Sequence, residues 1–101
     1  MRIDAHQHFW LYDPVRDSWI TEEMEAIRRT FLPNDIGQIL KDNKIDGVVA
    51  VQADQSVKET EFLVELSGFY KLIKAVVGWV DLRSASVEDQ LEQFKQHAII
   101  K

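Results

Sequence analysis

The run Ile45-Asp46-Gly47-Val48-Val49-Ala50-Val51-Gln52-Ala53, "IDGVVAVQA", decides how the rest of the chain is read. Its β-branched residues follow one another with no polar alternate, so both faces of the extended backbone are apolar. A strand of that kind is buried on both faces, the condition of a parallel sheet covered by helices. The flanking sequence fits. Upstream, "PNDIGQILKDNK" starts with proline in a first helical turn, and Ile36, Ile39 and Leu40 mark one helical face before Asn43 and Lys44 end it. Downstream, "SVKE" reads as a capping box, with Ser56 as N-cap and Glu59 at the third helical position. Phe62, Leu63, Leu66 and Phe69 then recur at helical spacing.

The same alternation continues in both directions. "IKAVVGWVDL" is a second continuous apolar strand, with Trp79 inside it as a core residue. "SVEDQLEQFKQH" is a further capped helix with Val87, Leu91 and Phe94 on its buried side, and "AIIK" is a strand just begun. Towards the N-terminus, Arg2 to His6 reads as a strand whose positions 4, 6 and 8 share one face. Between it and Pro33 the sequence is aperiodic, with a turn at Asp13-Pro14, a dense set of aromatics and one short helical turn expected from Glu22 to Arg28. Loops of that length in a compact domain are more often functional than idle. The order is strand, loop and helix, strand, helix, strand, helix, start of strand. It predicts an α/β fold with parallel pairing.

With 101 residues the chain has room for one domain, and 46% hydrophobic and 29% charged residues are the balance of a globular protein. The net charge of -5 argues against nucleic acid as a partner. There is no cysteine, so disulfides and thiolate metal sites are excluded, and any metal must be held by histidine, carboxylate or water. No apolar run approaches the roughly 18 residues of a membrane span, and the N-terminus lacks the apolar core of a signal peptide. A cytoplasmic location is the expectation. No Gly-rich loop follows either strand, which argues against dinucleotide and P-loop chemistry.

The candidate chemistry starts at "MRIDAHQHFW". His6 and His8 lie at i and i+2 on a strand, so both imidazoles leave the same face at the strand end, where α/β folds bind ligands. By spacing alone they are either half of a metal site or two exposed histidines ending a polar strand. The third histidine, His97, falls on a distant helix and is a poor partner. Asp4 is either an acceptor orienting an imidazole or a strand-start carboxylate near Arg2. Gln52 ends the central apolar run and either contacts ligand or is a satisfied polar group at a strand exit. Asp54 and Asp81, also at strand exits, suit turn chemistry. Trp10, directly after the histidines, suits a pocket wall, Trp19 either a wall or a plug, and Phe9 a plug between loop and sheet.

The stretches "IDAHQHFW", "RRTFLPNDI", "DGVVAVQA" and "VVGWVDL" together resemble the N-terminal part of the amidohydrolase superfamily. Within it they are similar to the amidohydrolase 2, or metal-dependent-hydrolase, branch that contains sugar lactonases of the L-fuconolactonase and L-rhamnonolactonase type. The resemblance implies a (β/α)8 TIM barrel. Residues 1–101 would be the N-terminal fragment of one such domain, about three βα units plus the start of the fourth strand. It implies that His6 and His8 are catalytic residues and metal ligands, with the family's later histidines and aspartate lying beyond Lys101. Metal use varies in this branch, so the pair either holds one divalent ion such as zinc or contacts substrate directly. Gln52 and Trp10 would bind substrate. The implied activity is hydrolysis of a sugar lactone or related cyclic ester, a small-molecule partner, by a chain inactive without the missing barrel portion. A decarboxylase acting on aromatic carboxylates is the alternative within the superfamily. The non-catalytic alternative is a truncated α/β fragment that self-associates through an open sheet edge.

Overall fold

A computed structural model describes all residues from Met1 to Lys101. Three parallel strands, β1 (Ile3–Gln7), β2 (Gly47–Val51) and β3 (Ile73–Val77), form one sheet in the order β1-β2-β3. Helices α1 (Pro33–Asp42) and α2 (Val57–Phe69) make the crossovers, and α3 (Val87–Lys95) follows β3. The expected short turn in the first loop is a 3-10 segment, Glu22–Ile27. "AIIK" does enter the sheet. The Val76 N–H donates to the Ile99 carbonyl at 2.8 Å, and the Lys101 N–H donates to the Val76 carbonyl at 3.0 Å, a parallel bridge beside β3. No helix is long and apolar enough to cross a membrane.

The core lies between the sheet and the crossover helices. Val48 and Ala50 of β2 and Ile73 and Val76 of β3 are buried together with Leu40, Leu63, Leu66 and Phe9. The expectation of burial on both faces of β2 is met on one only. Val49 and Val51, on the opposite face, are only half covered, because the chain's helices supply apolar side chains to a single face. α1 enters through Pro33 in its first turn, and the Asp35 carboxylate accepts the Leu32 N–H at 2.8 Å. It leaves by a Schellman motif: the Ile45 N–H donates to the Leu40 carbonyl and the Lys44 N–H to the Lys41 carbonyl. Lys44 therefore takes a left-handed φ of 58° that glycine adopts more easily.

Three apolar positions depart from the helical reading. Ile39 is exposed on the flank of α1, Phe69 is 76% exposed at the last residue of α2, and Leu91 is 49% exposed on α3. Phe94 alone is buried on α3. The strand expected through Trp79 stops at Val77, so Trp79 is neither in a strand nor fully buried. The cause is Thr60 on α2. Its hydroxyl donates to the Trp79 carbonyl and accepts the Trp79 N–H, both at 2.7 Å, drawing the chain off the ladder. Gly78 permits that approach, since a Cβ there would lie 2.5 Å from Thr60 Cγ2. Thr60→Val keeps the shape and removes both bonds, so it is expected to cost about 1–3 kcal/mol. Thr60→Ser is expected to retain most of the stability. Urea midpoints measure both, and a neutral Thr60→Val contradicts the assignment.

Candidate active site

β1 carries a register irregularity between Asp4 and Gln7, where its pairing with β2 slips. From within it and just after it, the Nε2 atoms of His6 and His8 approach to 3.1 Å with the rings edge-on, at 80° to one another. The other nitrogen of His8, Nδ1, lies 3.0 Å from the Val51 carbonyl at the end of β2. A carbonyl only accepts, so His8 Nδ1 carries a proton, and in the neutral imidazole its Nε2 presents a lone pair. His6 Nε2–H then donates to His8 Nε2. Asp4 does not join them. Its carboxylate accepts the His6 backbone N–H at 3.1 Å and the Gln7 side-chain amide, and these two bonds, the Gln7 bond first, hold it below the ordinary aspartate range. Arg2 plays no part in this, its backbone N–H going to Asp46.

A cleft of about 290 Å³ opens beside His8. One wall is the loop from β1 to α1, which is fastened at both ends. Trp10 and Phe31 exchange backbone hydrogen bonds of 2.9 and 3.0 Å, their rings 4.8 Å apart, and Arg29 lies over the Phe31 ring at 3.8 Å. The Asp13 carboxylate accepts the N–H groups of Val15 and Arg16, forming the turn that "DP" signals. This turn points Arg16 at Asp17, a buried carboxylate that accepts Nε at 3.1 Å and Nη2 at 2.9 Å. Arg16 also donates to the Leu11 carbonyl.

The Arg16 bonds hold Asp17 below its ordinary range, against the opposing effect of burial. A carboxyl depressed in the folded state contributes stability above its unfolded value of about 3.9, and loses it as pH falls through the folded value. The loop wall is therefore expected to loosen only below about pH 4. Trp19 fluorescence, from a side chain 63% exposed on the same wall, reports this. Asp17→Asn is expected to flatten that acid limb, and an unchanged limb contradicts the clamp.

The opposite wall is the exit of β2. The Gln52 N–H donates to the Val77 carbonyl at 2.9 Å, and its side chain is half-buried on the cleft. The "SVKE" box forms by half: Ser56 Oγ accepts the Glu59 N–H at 3.1 Å. The Glu59 carboxylate turns the other way. Its Oε2 accepts the N–H groups of Ala53 at 2.9 Å and Asp54 at 3.0 Å.

His6 and His8 fit two nitrogen ligands of one ion once the His6 proton moves from Nε2 to Nδ1, so that both Nε2 atoms present lone pairs. Their Nε2 separation matches two bonds of about 2.0–2.1 Å diverging from a common centre. The Val51 carbonyl supplies the outer hydrogen bond that metal-bound imidazoles usually make. No third histidine or carboxylate completes a cluster of three.

No protein-family model matches the chain. The L-fucono-1,5-lactonase of Burkholderia multivorans is 36% identical over 95 residues, 94% of this chain and 32% of that protein. The L-fucono-1,5-lactonase of Burkholderia ambifaria is 37% identical over 83 residues, 82% of this chain and 29% of that protein. A crystal structure of a Burkholderia multivorans amidohydrolase with bound zinc superposes with a TM-score of 0.86 over 92% of this chain, at 36% identity. The chain is homologous to the amidohydrolases. It spans about a third of the length of these relatives, and 33% of the zinc-bound structure and of a second form with bound HEPES, whose TM-score is 0.87.

The candidates from sequence distribute unevenly. His8, Trp10, Gln52 and Asp54 lie on the cleft, with His6 against His8, and Trp19 forms the outer lip. Phe9 points the other way and is buried in the core. Asp81 accepts the Arg83 N–H in a turn, and His97 follows α3; neither lines the cleft. Arg16, Asp17 and Glu59 were not foreseen there. The Asp13-Pro14 turn was the available signal for the first two. Nothing in the "SVKE" spacing indicates that Glu59 bonds outside its own helix.

Proposed function

We propose that the chain forms the first-strand side of a (β/α)8-barrel hydrolase active site that opens a sugar lactone. The observation that carries this reading is the orientation of His8. Its Nδ1–H is directed at the Val51 carbonyl, so its Nε2 faces His6 Nε2 at the carboxyl end of β1. The half-open face of the sheet, with Val49 and Val51, is the face that a closed barrel fills with further side chains. The reaction adds water to the lactone carbonyl carbon. The ring carbon–oxygen bond breaks, and the departing oxygen takes a proton to give the open hydroxy acid. His6 and His8, with a ligand from outside these residues, would hold a divalent ion such as the zinc of the related crystal structure, which would supply an acidified water.

The remaining cleft residues suit an uncharged, hydroxyl-bearing ring. Trp10 and Trp19 offer flat apolar faces to its carbon–hydrogen surface, and the Gln52 amide offers both a donor and an acceptor to hydroxyls. Apart from any bound ion, the charges of the cleft's own side chains favour a lactone over an aromatic carboxylate. The single cation, Arg16, is already paired with Asp17, and Asp54 and Glu59 add negative charge that repels an anionic ligand.

The test is a graft. Residues 1–101 replace the matching segment of the Burkholderia multivorans L-fucono-1,5-lactonase, and the purified chimera is assayed with aldono-1,5-lactones. Lactone turnover above the spontaneous rate is expected. A folded chimera that decarboxylates aromatic carboxylates and leaves lactones untouched overturns the reading.

A further inference from the structure

We propose that Glu59 is a positioning residue for the cleft, holding from inside α2 the backbone that follows Gln52 and so aligning Gln52 and the Val51 carbonyl on His8. This rests on the proposed function only in taking Gln52 and His8 as the groups that meet substrate. A glutamate at the third position of a helix ordinarily returns to the N-cap N–H. Here the Ser56 N–H goes to the Asp54 carbonyl at 3.0 Å, and the Glu59 carboxylate is free to reach the two N–H groups directly after Gln52. Glu59 is 6% exposed and is among the residues lining the cleft.

Two charge-assisted bonds to consecutive backbone donors fix a loop more firmly than a neutral cap. The chain they fix is short. Ala53 is bonded to Glu59, Gln52 to Val77, and Val51 to His8, so a shift at Ala53 is passed to the imidazole within two residues. Glu59 also acts on the facing wall, because its charge and that of Asp54 add to Asp17 in stabilising the Arg16 cation. One buried carboxylate thus tethers one wall by hydrogen bonds and attracts the other electrostatically.

The experiment uses the 101-residue chain, labelled with ¹⁵N, as wild type, Glu59→Gln and Glu59→Ala, with no substrate present. Amide exchange is read at Ala53 and Asp54, the His8 tautomer from its imidazole ¹⁵N shifts, and the core from amides of Val48 to Ala50. In Glu59→Ala, protection at Ala53 and Asp54 is expected to fall about 10- to 100-fold, the loss for charge-assisted hydrogen bonds. His8 is expected to lose its single Nδ1–H form. Glu59→Gln keeps a weaker, neutral acceptor and is expected to fall between, with core protection maintained. No change at Ala53, Asp54 and His8 overturns the proposal. So does a uniform fall across β2 and β3, the mark of a merely structural role. If Glu59→Ala does not fold, the local, uniform or absent response of Glu59→Gln decides alone. Because no lactone enters the measurement, its outcome is separate from that of the grafted enzyme.

Discussion

His8→Ala, placed in the grafted lactonase, is expected to lower lactone turnover by on the order of 10²–10⁴-fold, the contribution of a positioned acid–base or polarising group. The expectation follows from what the side chain alone provides. His8 is the imidazole whose outer nitrogen is tied to Val51, so its reactive nitrogen has one direction. Removing it also takes away the acceptor on which His6 Nε2 rests, leaving the remaining imidazole without its neighbour. The decline belongs in kcat/KM with the fold unchanged, because His8 is exposed and contributes no core packing. His6→Ala is expected in the same range. Steady-state kinetics with circular dichroism of each variant check this, and wild-type turnover in His8→Ala contradicts it.

Phe9→Ala is expected to have the largest effect on stability, about 3–5 kcal/mol. Phe9 directly follows His8 but faces inward, 2% exposed, against the cluster that includes Leu40, Val48 and Leu63. Truncation removes the transfer free energy of the ring and leaves a void that the flanking sheet closes only in part. Small domains hold only about 5–15 kcal/mol in total, so this single change consumes much of it. Phe9→Leu refills most of the volume and is expected to cost less than about 1.5 kcal/mol beyond its lost packing area. Urea denaturation of the three chains measures the series. A small cost for Phe9→Ala places Phe9 outside the core.

The βα rhythm was legible because it is written in local periodicity: "IDGVVAVQA" forms the central strand, the Ser56 hydroxyl caps α2, and Glu22–Ile27 turns within an aperiodic loop. What was not legible depends on partners distant in sequence. Trp79 leaves the sheet because of a threonine 19 positions earlier, and His8 takes its tautomer from a carbonyl 43 positions later. Strand alternation puts Asp4, His6 and His8 on one face, but the Asp4 carboxylate bonds the His6 backbone N–H and the Gln7 amide and not the imidazoles. Continuous apolar sequence likewise records that β2 suits burial on both faces, and not which neighbours cover each face. In the cleft, Trp10 and Gln52 stood at positions marked by strand ends. Arg16, Asp17 and Glu59 act through hydrogen bonds that no spacing announces.

The most direct test of the account is the imidazole ¹⁵N spectrum of the 101-residue chain, recorded near pH 8 before and after addition of zinc. His8 is expected as the Nδ1–H form with a bare Nε2, and zinc is expected to shift the Nε2 signals of His6 and His8 together while leaving His97 unmoved. A His8 protonated at Nε2, or zinc that perturbs His97 and spares the pair, contradicts the placement of a reactive site at the end of β1.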